Sequence, residues 1–572
     1  MREKFLLGLP GLRQLWGYDR SWWGGDLLAG ITVAAYLIPQ CMAYGEIVGV
    51  SPVVGLWTIL PAMCVYALVG SSRQLSVGPE STTAVMTAAA IAPLLLADGS
   101  NYGVLTATLA MLVGAICLVG YVARVGFLAN LLSKPILVGY MAGVAIVMIA
   151  GQLGKISGIS IQGNTVLTQV SQFVQQIFGA SSEGNRLHLP TLILAGLTFG
   201  FLVAIGKFFP KAPAPLLAVL ISTVAVAIFD LDRQGLAIVG AIEAGLPQVV
   251  IPHLSAQLPD LLASALGIAI VGYSDNVLTA RSFAARHQQK IDANQELLAL
   301  GLANVGAGLV QGFPVSSSGS RTAIADTSGS KTQLYSLVAM GVVMAVLIWL
   351  RPVLALFPKA ALGALVIFAA FRLIEISEFV RLYRFRRSEF CLAMITTVGV
   401  LTTDISVGVA IAVGLSVVEL LSRLARPHDA VQGMVPNLPG FHDIDDWEGA
   451  TTIPGLVIYR YDAPLCFANA EDFKSRALRA IESEIAPVEW FVLNTEAIVE
   501  VDITAMDILE ELYDELAARQ ITLAMARVKQ DLYAQLQRSA LLEKIGKDRI
   551  YFTLSTMIVD FKNLKVESDA SP

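Results

Sequence analysis

The sequence predicts a polytopic α-helical membrane protein, with fourteen transmembrane segments in a seven-plus-seven repeat, followed by a soluble α/β domain. Three observations predict it. Only 15% of the 572 residues are charged and mean hydropathy is +0.66, against about 25% charged residues in a soluble globular protein. The apolar residues come in blocks near the ~20 residues that cross a hydrocarbon core of about 30 Å. Beyond Arg426 the charged residues return at globular density. These shifts divide the chain into an N-terminal segment (1–26), a transmembrane domain (27–427), a soluble domain (430–562) and a tail (563–572).

Taken in order, the chain opens with "MREKFLLGLPGLRQLWGYDRSWWGGD". This stretch is amphipathic and aromatic, without an apolar run ending in a small-residue cleavage site, so no signal peptide is expected. Membrane segments follow near 27–48, 52–70, 79–96, 102–122, 133–153, 189–208, 213–230, 259–281, 293–312, 318–328, 334–351, 358–372, 388–403 and 406–422. The more polar stretch 163–180 is expected at the interface. An even number of crossings puts both ends on one side. Lys4, Arg13, Arg20, Arg73, Arg124, Lys134, Lys207, Lys211, Arg281, Arg286 and Lys290 fall in alternate connectors, and "FRLIEISEFVRLYRFRRSE" (371–389) is the strongest basic cluster. The positive-inside rule makes that side cytoplasmic, which places both termini and the soluble domain in the cytoplasm and the chain in the plasma (inner) membrane.

Several classes of function are excluded. No basic run suggests nucleic acid, and the net charge of −6 names no partner. The five cysteines (Cys41, Cys64, Cys117, Cys391, Cys466) are scattered without CxxC spacing, so neither a disulfide nor a metal centre is expected. "GLANVGAG" (301–308) lies in an apolar segment without a preceding strand, so it serves packing rather than nucleotide binding. The soluble domain shows no nucleophile–base pair, metal cluster or phosphate loop. An enzyme is not expected, and no cofactor is required.

Two segments do not read as simple spanning helices. One opens with "SVGPEST" (76–82), the other with "FPVSSSGSRTAIAD" (313–326). Each is broken by proline or glycine beside small polar residues, and they stand third in their respective sevens. Interrupted segments at matching positions of two halves point to an inverted repeat with a binding site at mid-membrane. A helix start carries unpaired N–H groups and partial positive charge. Two such starts facing each other make an anion site. Ser316, Ser317, Ser318 and Ser320 offer hydroxyls, Gly319 lets a ligand reach the backbone, and Arg321 adds a permanent charge. The structural alternative is that the small residues permit close helix packing and that Arg321 pairs with an acid.

"GDLLAGITVAAYLIPQCMAYGEIVGVSPVVGLW" (25–57), "GSSRQLSVGPEST" (70–82) and "GFPVSSSGSRTAIAD" with "GSKTQL" (312–334) resemble the sulfate permease (SulP) family, whose vertebrate relatives are the solute carrier 26 anion transporters. The similarity covers essentially the whole chain. It implies a seven-plus-seven inverted repeat, a core domain that moves against a gate domain in elevator-like alternating access, a C-terminal STAS domain, and often a homodimer. The tail agrees independently: strand, loop and helix in "PGLVIYRYDAPLCFANAEDFKSRALRAI", strand, turn and helix in "VEWFVLNTEAIVEVDITAMDILEELYDELAARQ", then a strand in "ITLAMARV" and a helix around "QDLYAQLQRSALLEKIG". In regulatory cousins of this domain a phosphorylatable serine starts a helix after an aspartate. "VDITAMDIL" puts Thr504 in that slot, where the simpler reading is an N-cap.

Carried over residue by residue, the resemblance implies that Gln40 and Tyr44 of "IPQCMAY" line the anion site; four apart, they share a helix face. Ser318, Gly319 and Ser320 would present donors and Arg321 the field. Glu80, in "GPE", reads as the first turn of the third helix behind a proline at N1. An ionised Glu80 would repel an anion and a protonated one would admit it, which would couple uptake to H⁺. Asp275 in "IAIVGYSDNVLTARSFA" is an intramembrane acid, functional by default, with Thr279 one turn later. The resemblance implies Asp275 and Thr279 as the coupling-ion residues, for H⁺ or Na⁺, assisted by Ser317 and Ser318; the alternative is a structural Asp275–Arg321 pair. The expected function is a coupled inorganic anion transporter. Sulfate leads, with bicarbonate close behind and dicarboxylates open. An uncoupled anion channel or exchanger, or a membrane tether signalling through a STAS-bound regulator, are the competing readings.

Overall fold

A computed structural model of the chain describes residues 9–98, 102–127, 133–159, 161, 166–178, 187–209, 212–242, 245–251, 258–402 and 405–569. By internal contacts it separates into two compact units, Met1–Ser416 and Val417–Pro572.

All fourteen expected segments of the membrane region are helical. After a short α1 (Pro10–Trp16) come α2 (Trp23–Val48), α3 (Pro52–Val69), α4 (Ser81–Asp98), α5 (Tyr102–Val122) and α6 (Lys134–Ser157). The stretch expected at the interface holds α7 (Val166–Phe178); its residues 163–165, 179 and 180 lie outside the described residues, as does Lys211. Then follow α8 (Leu189–Phe208), α9 (Ala214–Ile228), α10 (Leu258–Arg286), α11 (Ala293–Leu309), α12 (Gly319–Thr327), α13 (Leu334–Trp349), a short α14 (Arg351–Ala355) and α15 (Lys359–Leu373). The strongest basic cluster (371–389) runs from the end of α15 through α16 (Ile376–Phe385) into the start of α17 (Arg387–Thr402); α18 (Ile405–Ala425) follows and runs across the boundary between the units.

Among the described residues, seven helices are long and apolar enough to cross a membrane alone, and Ser81–Leu94, Ala214–Ile228 and Leu334–Trp349 are shorter. α12 has 9 residues, about 14 Å at 1.5 Å per residue, too short to span. Proline stands in the first turn of α1, α3, α6, α8 and α9, where its missing N–H is no loss. Pro39 lies inside α2. It leaves the Ala35 carbonyl without its helical donor at the residue just before Gln40.

Two bundles result. Segments one to four (α2–α5) pack with eight to eleven (α10–α13), while α6, α8, α9, α15 and α17 pack together; α2 touches α9 and α15 of the second bundle. This is the core-and-gate partition expected of the repeat. Glycine sets the closest approach inside the first bundle: a Cβ on Gly55 would lie 1.9 Å from the Cys41 carbonyl oxygen, so α2 and α3 meet backbone to backbone. Asp26, fully buried at the head of α2, accepts from the Lys331 amide (2.7 Å), the Thr332 amide (3.2 Å) and the Thr332 hydroxyl (2.8 Å). The "GSKT" turn is thereby tied to the first segment.

The second unit holds a six-stranded sheet. In chain order the strands are β3 (Asp429–Val435), β4 (Leu438–Asp443), β5 (Leu456–Tyr461), β6 (Trp490–Asn494), β7 (Thr522–Ala526) and β8 (Ile550–Tyr551), arranged β4-β3-β5-β6-β7-β8. β5 through β8 are parallel, with Leu456 opposite Trp490 and Trp490 opposite Thr522, and β3 runs antiparallel to both β4 and β5. Side chains alternate between faces with period two. Val457, Tyr459, Phe491 and Leu523 pack under α19 (Ala470–Glu482), α20 (Ile503–Ala518) and α21 (Gln530–Arg538), with α22 (Leu541–Ile545) beyond. Leu456, Ile458, Trp490, Val492 and Ala524 pack instead against Leu554, Met557, Ile558 and Phe561 of α23 (Leu554–Asp569). The three expected strands and the helices after them are present. The hairpin β3–β4, the two-residue β8 and α23 are additions, and α23 continues through residue 562 to Asp569. The expected N-cap role of Thr504 is corrected: Asp502 caps α20, its carboxylate accepting from the Ala505 amide (2.8 Å) and the Phe467 amide (2.7 Å), while Thr504 is exposed in the first turn.

Candidate functional site

The two broken segments cross. Pro79 disfavours helix at Gly78, and a side chain at Gly78 would meet Ile59 at 2.8 Å and Arg321 Nη2 at 3.4 Å. The chain is extended here instead: β1 (Val77–Gly78) pairs antiparallel with β2 (Ser316–Ser317), Val77 opposite Ser317 and Gly78 opposite Ser316. The Ser318 amide donates to the Ser76 carbonyl (2.9 Å) and the Ser76 amide to the Thr322 hydroxyl (3.0 Å). Asn304 of α11 closes the other end. Its Nδ2 donates to the Val315 carbonyl (3.1 Å) and its Oδ1 accepts from the Val315 amide (2.9 Å). Irregular backbone at membrane depth survives only where protein satisfies it, and these bonds do so.

The helices that leave the crossing have unequal starts. α4 is already occupied. Glu80 is its N-cap rather than a first-turn residue: Oε2 accepts from the Thr82 amide (2.6 Å), Oε1 from the Ser81 hydroxyl, and the Glu80 carbonyl from the Ala84 amide (3.0 Å). The proline therefore precedes the cap instead of filling N1. α12 is open. Ser318 is its cap, with Oγ 3.5 Å from the Arg321 amide and 3.2 Å from Ser320 Oγ. Gly319 is exposed, and a Cβ built on it would meet nothing within 4 Å. The first amides of a helix have no partner within it, so those of Gly319 and Ser320 are left for a ligand at the positive end of the helix dipole, beside this open space.

Arg321 is fully buried. Nη1 donates to the Pro79 carbonyl (2.7 Å) and Nε to Ser76 Oγ (3.3 Å), while Nη2 is buried without a partner among the described residues. The alternative of an Asp275–Arg321 ion pair is not realised among the described residues. Arg321 ties the second break to the first, and Asp275 of α10 accepts from Ser317 Oγ at 2.9 Å. Thr279 stands one turn further along α10, partly exposed like Asp275. Gln40 and Tyr44 are buried on α2, which packs against both α4 and α12; Gln40 Oε1 has no partner among the described residues, and Tyr44 packs with Val48, Ala84 and Phe313. Thr504 belongs to the other unit.

Sequence reasoning missed two fully buried acids, Asp26 at the head of α2 and Glu296. Glu296, in the first turn of α11, is fully buried and accepts from the Tyr66 hydroxyl (2.9 Å), the Ser71 amide (3.0 Å) and hydroxyl (2.7 Å), and Asn276 Nδ2 (2.7 Å). It holds α3, the following loop and α10 at the residue beside Asp275. The signal was an acid at the head of an apolar segment, "NQELL". Glu296→Ala strands donors from three residues, each worth about 1–3 kcal/mol when buried and unpaired. It is expected to lower stability by at least about 3 kcal/mol, read as a lower thermal midpoint of the purified protein.

Comparison with known proteins agrees with this architecture. The profile of the Sulfate permease family matches residues 24–396, and that of the STAS domain residues 449–557. A Mycobacterium tuberculosis (strain CDC 1551 / Oshkosh) protein named "Probable sulfate transporter" is 54% identical over 97% of this chain and 98% of its own. Arabidopsis thaliana sulfate transporter 4.1, chloroplastic, is 30% identical over 91% of this chain and 78% of its own. Among solved structures, the murine Solute Carrier 26 family member A9 anion transporter in the inward-facing state covers 98% of this chain and 95% of its own, with TM-score 0.89 and 21% identity. The transmembrane domain of a cyanobacterium bicarbonate transporter covers 69% of this chain and 99% of its own, with TM-score 0.61 and 23% identity.

Proposed function

The chain belongs to the sulfate permease family, whose members are transporters rather than enzymes, and we propose that it is a secondary active transporter of inorganic oxyanions with sulfate as its leading substrate. The observation that carries this reading is the open start of α12 beside the buried Arg321. A tetrahedral oxyanion over Gly319 accepts from the amides of Gly319 and Ser320 and from the hydroxyls of Ser318 and Ser320. Arg321 supplies permanent charge from behind, and Gln40 and Tyr44 border the site from α2. Glu80 occupies the opposite helix start, so the anion meets one dipole, not two. Protonation of Glu80 removes the competing charge.

Coupling runs through Ser317. Its hydroxyl donates to Asp275 and its backbone belongs to β2, one residue before the Ser318 cap. A cation on Asp275, assisted by the Thr279 hydroxyl, releases that donor, so cation and anion sites share one serine. Driving a dianion against a negative-inside potential costs about 4.6 kcal/mol per 100 mV, at about 2.3 per charge; two coupled H⁺ or Na⁺ offset it. The bundle containing α12 moves against the bundle containing α6 and α15 to alternate access. The positive-inside distribution of the basic connectors supports cytoplasmic termini and a plasma (inner) membrane location. It works as a homodimer whose STAS domain receives a cytoplasmic regulator. Thr504, exposed at the head of α20, is where a phosphate would meet a helix dipole.

The test is uptake of labelled sulfate and labelled bicarbonate into proteoliposomes under imposed H⁺ or Na⁺ gradients. Asp275→Asn keeps an acceptor for Ser317 but loses the charge. It is expected to reduce gradient-driven sulfate uptake at least tenfold and leave sulfate exchange within about threefold. In the same assay Glu80→Gln flattens the pH dependence of uptake; an unchanged profile removes Glu80 from the coupling. Na⁺-driven bicarbonate uptake without sulfate uptake would reassign the substrate, and gradient-independent flux would overturn the coupling.

A further inference from the structure

Six residues beyond Gln40 on α2, about 9 Å along the axis, stands Glu46. Its side chain is 6% exposed and lies between two ammonium groups from the other bundle. Lys155 Nζ of α6 is 3.0 Å from Oε2, and Lys359 Nζ of α15 is 3.1 Å from Oε1. Lys155 also donates to the Glu46 carbonyl (3.2 Å). Both lysines line a cavity of about 460 Å³ whose wall also includes Gly151, Gly154, Gln169 and Thr191 and, among the described residues, no acid. The cluster carries two positive charges against one negative, and the excess faces the cavity. One carboxylate oxygen meets each ammonium, as two oxygens of a tetrahedral oxyanion would.

We propose that Lys155 and Lys359 form a second oxyanion site on the route to α12, and that Glu46 is a built-in carboxylate occupying it until α2 moves away. The role of this site in the path rests on the transport reading; its existence does not. Displacement of α2 from α6 and α15 breaks both ion pairs at once and leaves two lysines side by side at the cavity. An oxyanion bound there compensates the exposed charge and is released when Glu46 returns, so the same carboxylate opens and empties the site.

The measurement is equilibrium binding of radiolabelled inorganic sulfate to the full-length protein in lipid nanodiscs, with gluconate as the control anion. A Gly319→Val background fills the α12 site. In that background Glu46→Gln is expected to tighten sulfate binding at least tenfold, Glu46→Asp to give an intermediate value, and Lys155→Gln with Lys359→Gln to abolish binding. Monodispersity on size exclusion qualifies each variant, and Glu46→Asp carries the test if Glu46→Gln does not fold. Binding that Glu46 variants leave unchanged, or that survives loss of both lysines, overturns the proposal. Equal binding by wild type and Gly319→Val, still abolished without the lysines, would instead overturn the α12 site and leave this one standing.

Discussion

Gly319→Val abolishes sulfate uptake while the protein stays folded. The reason is the asymmetry of the two helix starts. A Cβ at Gly319 meets none of the described residues within 4 Å, and valine is a better helix residue than glycine, so folding has no cause to suffer. The isopropyl group instead fills the space where an anion would accept from the Gly319 and Ser320 amides. Uptake in proteoliposomes is expected to fall at least about 100-fold, equivalent to roughly 2.8 kcal/mol of lost interaction, with an unchanged thermal midpoint. Uptake within threefold of wild type would mean that the anion does not sit over α12.

The second large effect is at Arg321. Arg321→Lys keeps the charge but not the fork: an ammonium cannot reproduce the rigid pair of bonds to the Pro79 carbonyl and Ser76 hydroxyl. Transport is expected to fall at least about 30-fold while equilibrium sulfate binding weakens less than tenfold. Arg321→Met, which removes the charge as well, loses both. The comparison of uptake with binding separates the tie between the breaks from the electric field. If Arg321→Lys transports normally, the tie has no part in the cycle.

Hydropathy made the membrane part legible because each segment carries its own evidence: an apolar block bounded by charge, or a block broken by proline and serine. The crossing was foreshadowed by composition alone, since Gly78, Pro79 and Ser316–Ser318 cannot continue a helix comfortably. Partnership was not legible. Nothing local distinguishes Arg321 bonded to Pro79 from Arg321 paired with Asp275. Glu80 shows its capping role only once the helix start is fixed to one residue. Glu46, Lys155 and Lys359 stand near the ends of three different segments, where single charges look like ordinary interface residues. In the soluble unit, the parallel strands announced themselves as apolar runs before helices. The β3–β4 hairpin, interrupted by Gly433, Pro436, Asn437, Pro439 and Gly440, and the two-residue β8 fall below what periodicity detects.

The β1–β2 crossing also sets the order in which the chain can be made. Arg321 reaches back to a carbonyl 242 residues earlier. At about 5–20 residues per second of synthesis, the first break waits roughly 12–48 s for its partner. During that interval the amides and carbonyls around Val77 have no strand to pair with, and the third segment cannot take its final form. The nascent first half therefore stays incomplete at this break until β2 and α12 have been made. A chain truncated before Ser316 should be degraded, not retained as a stable half-transporter.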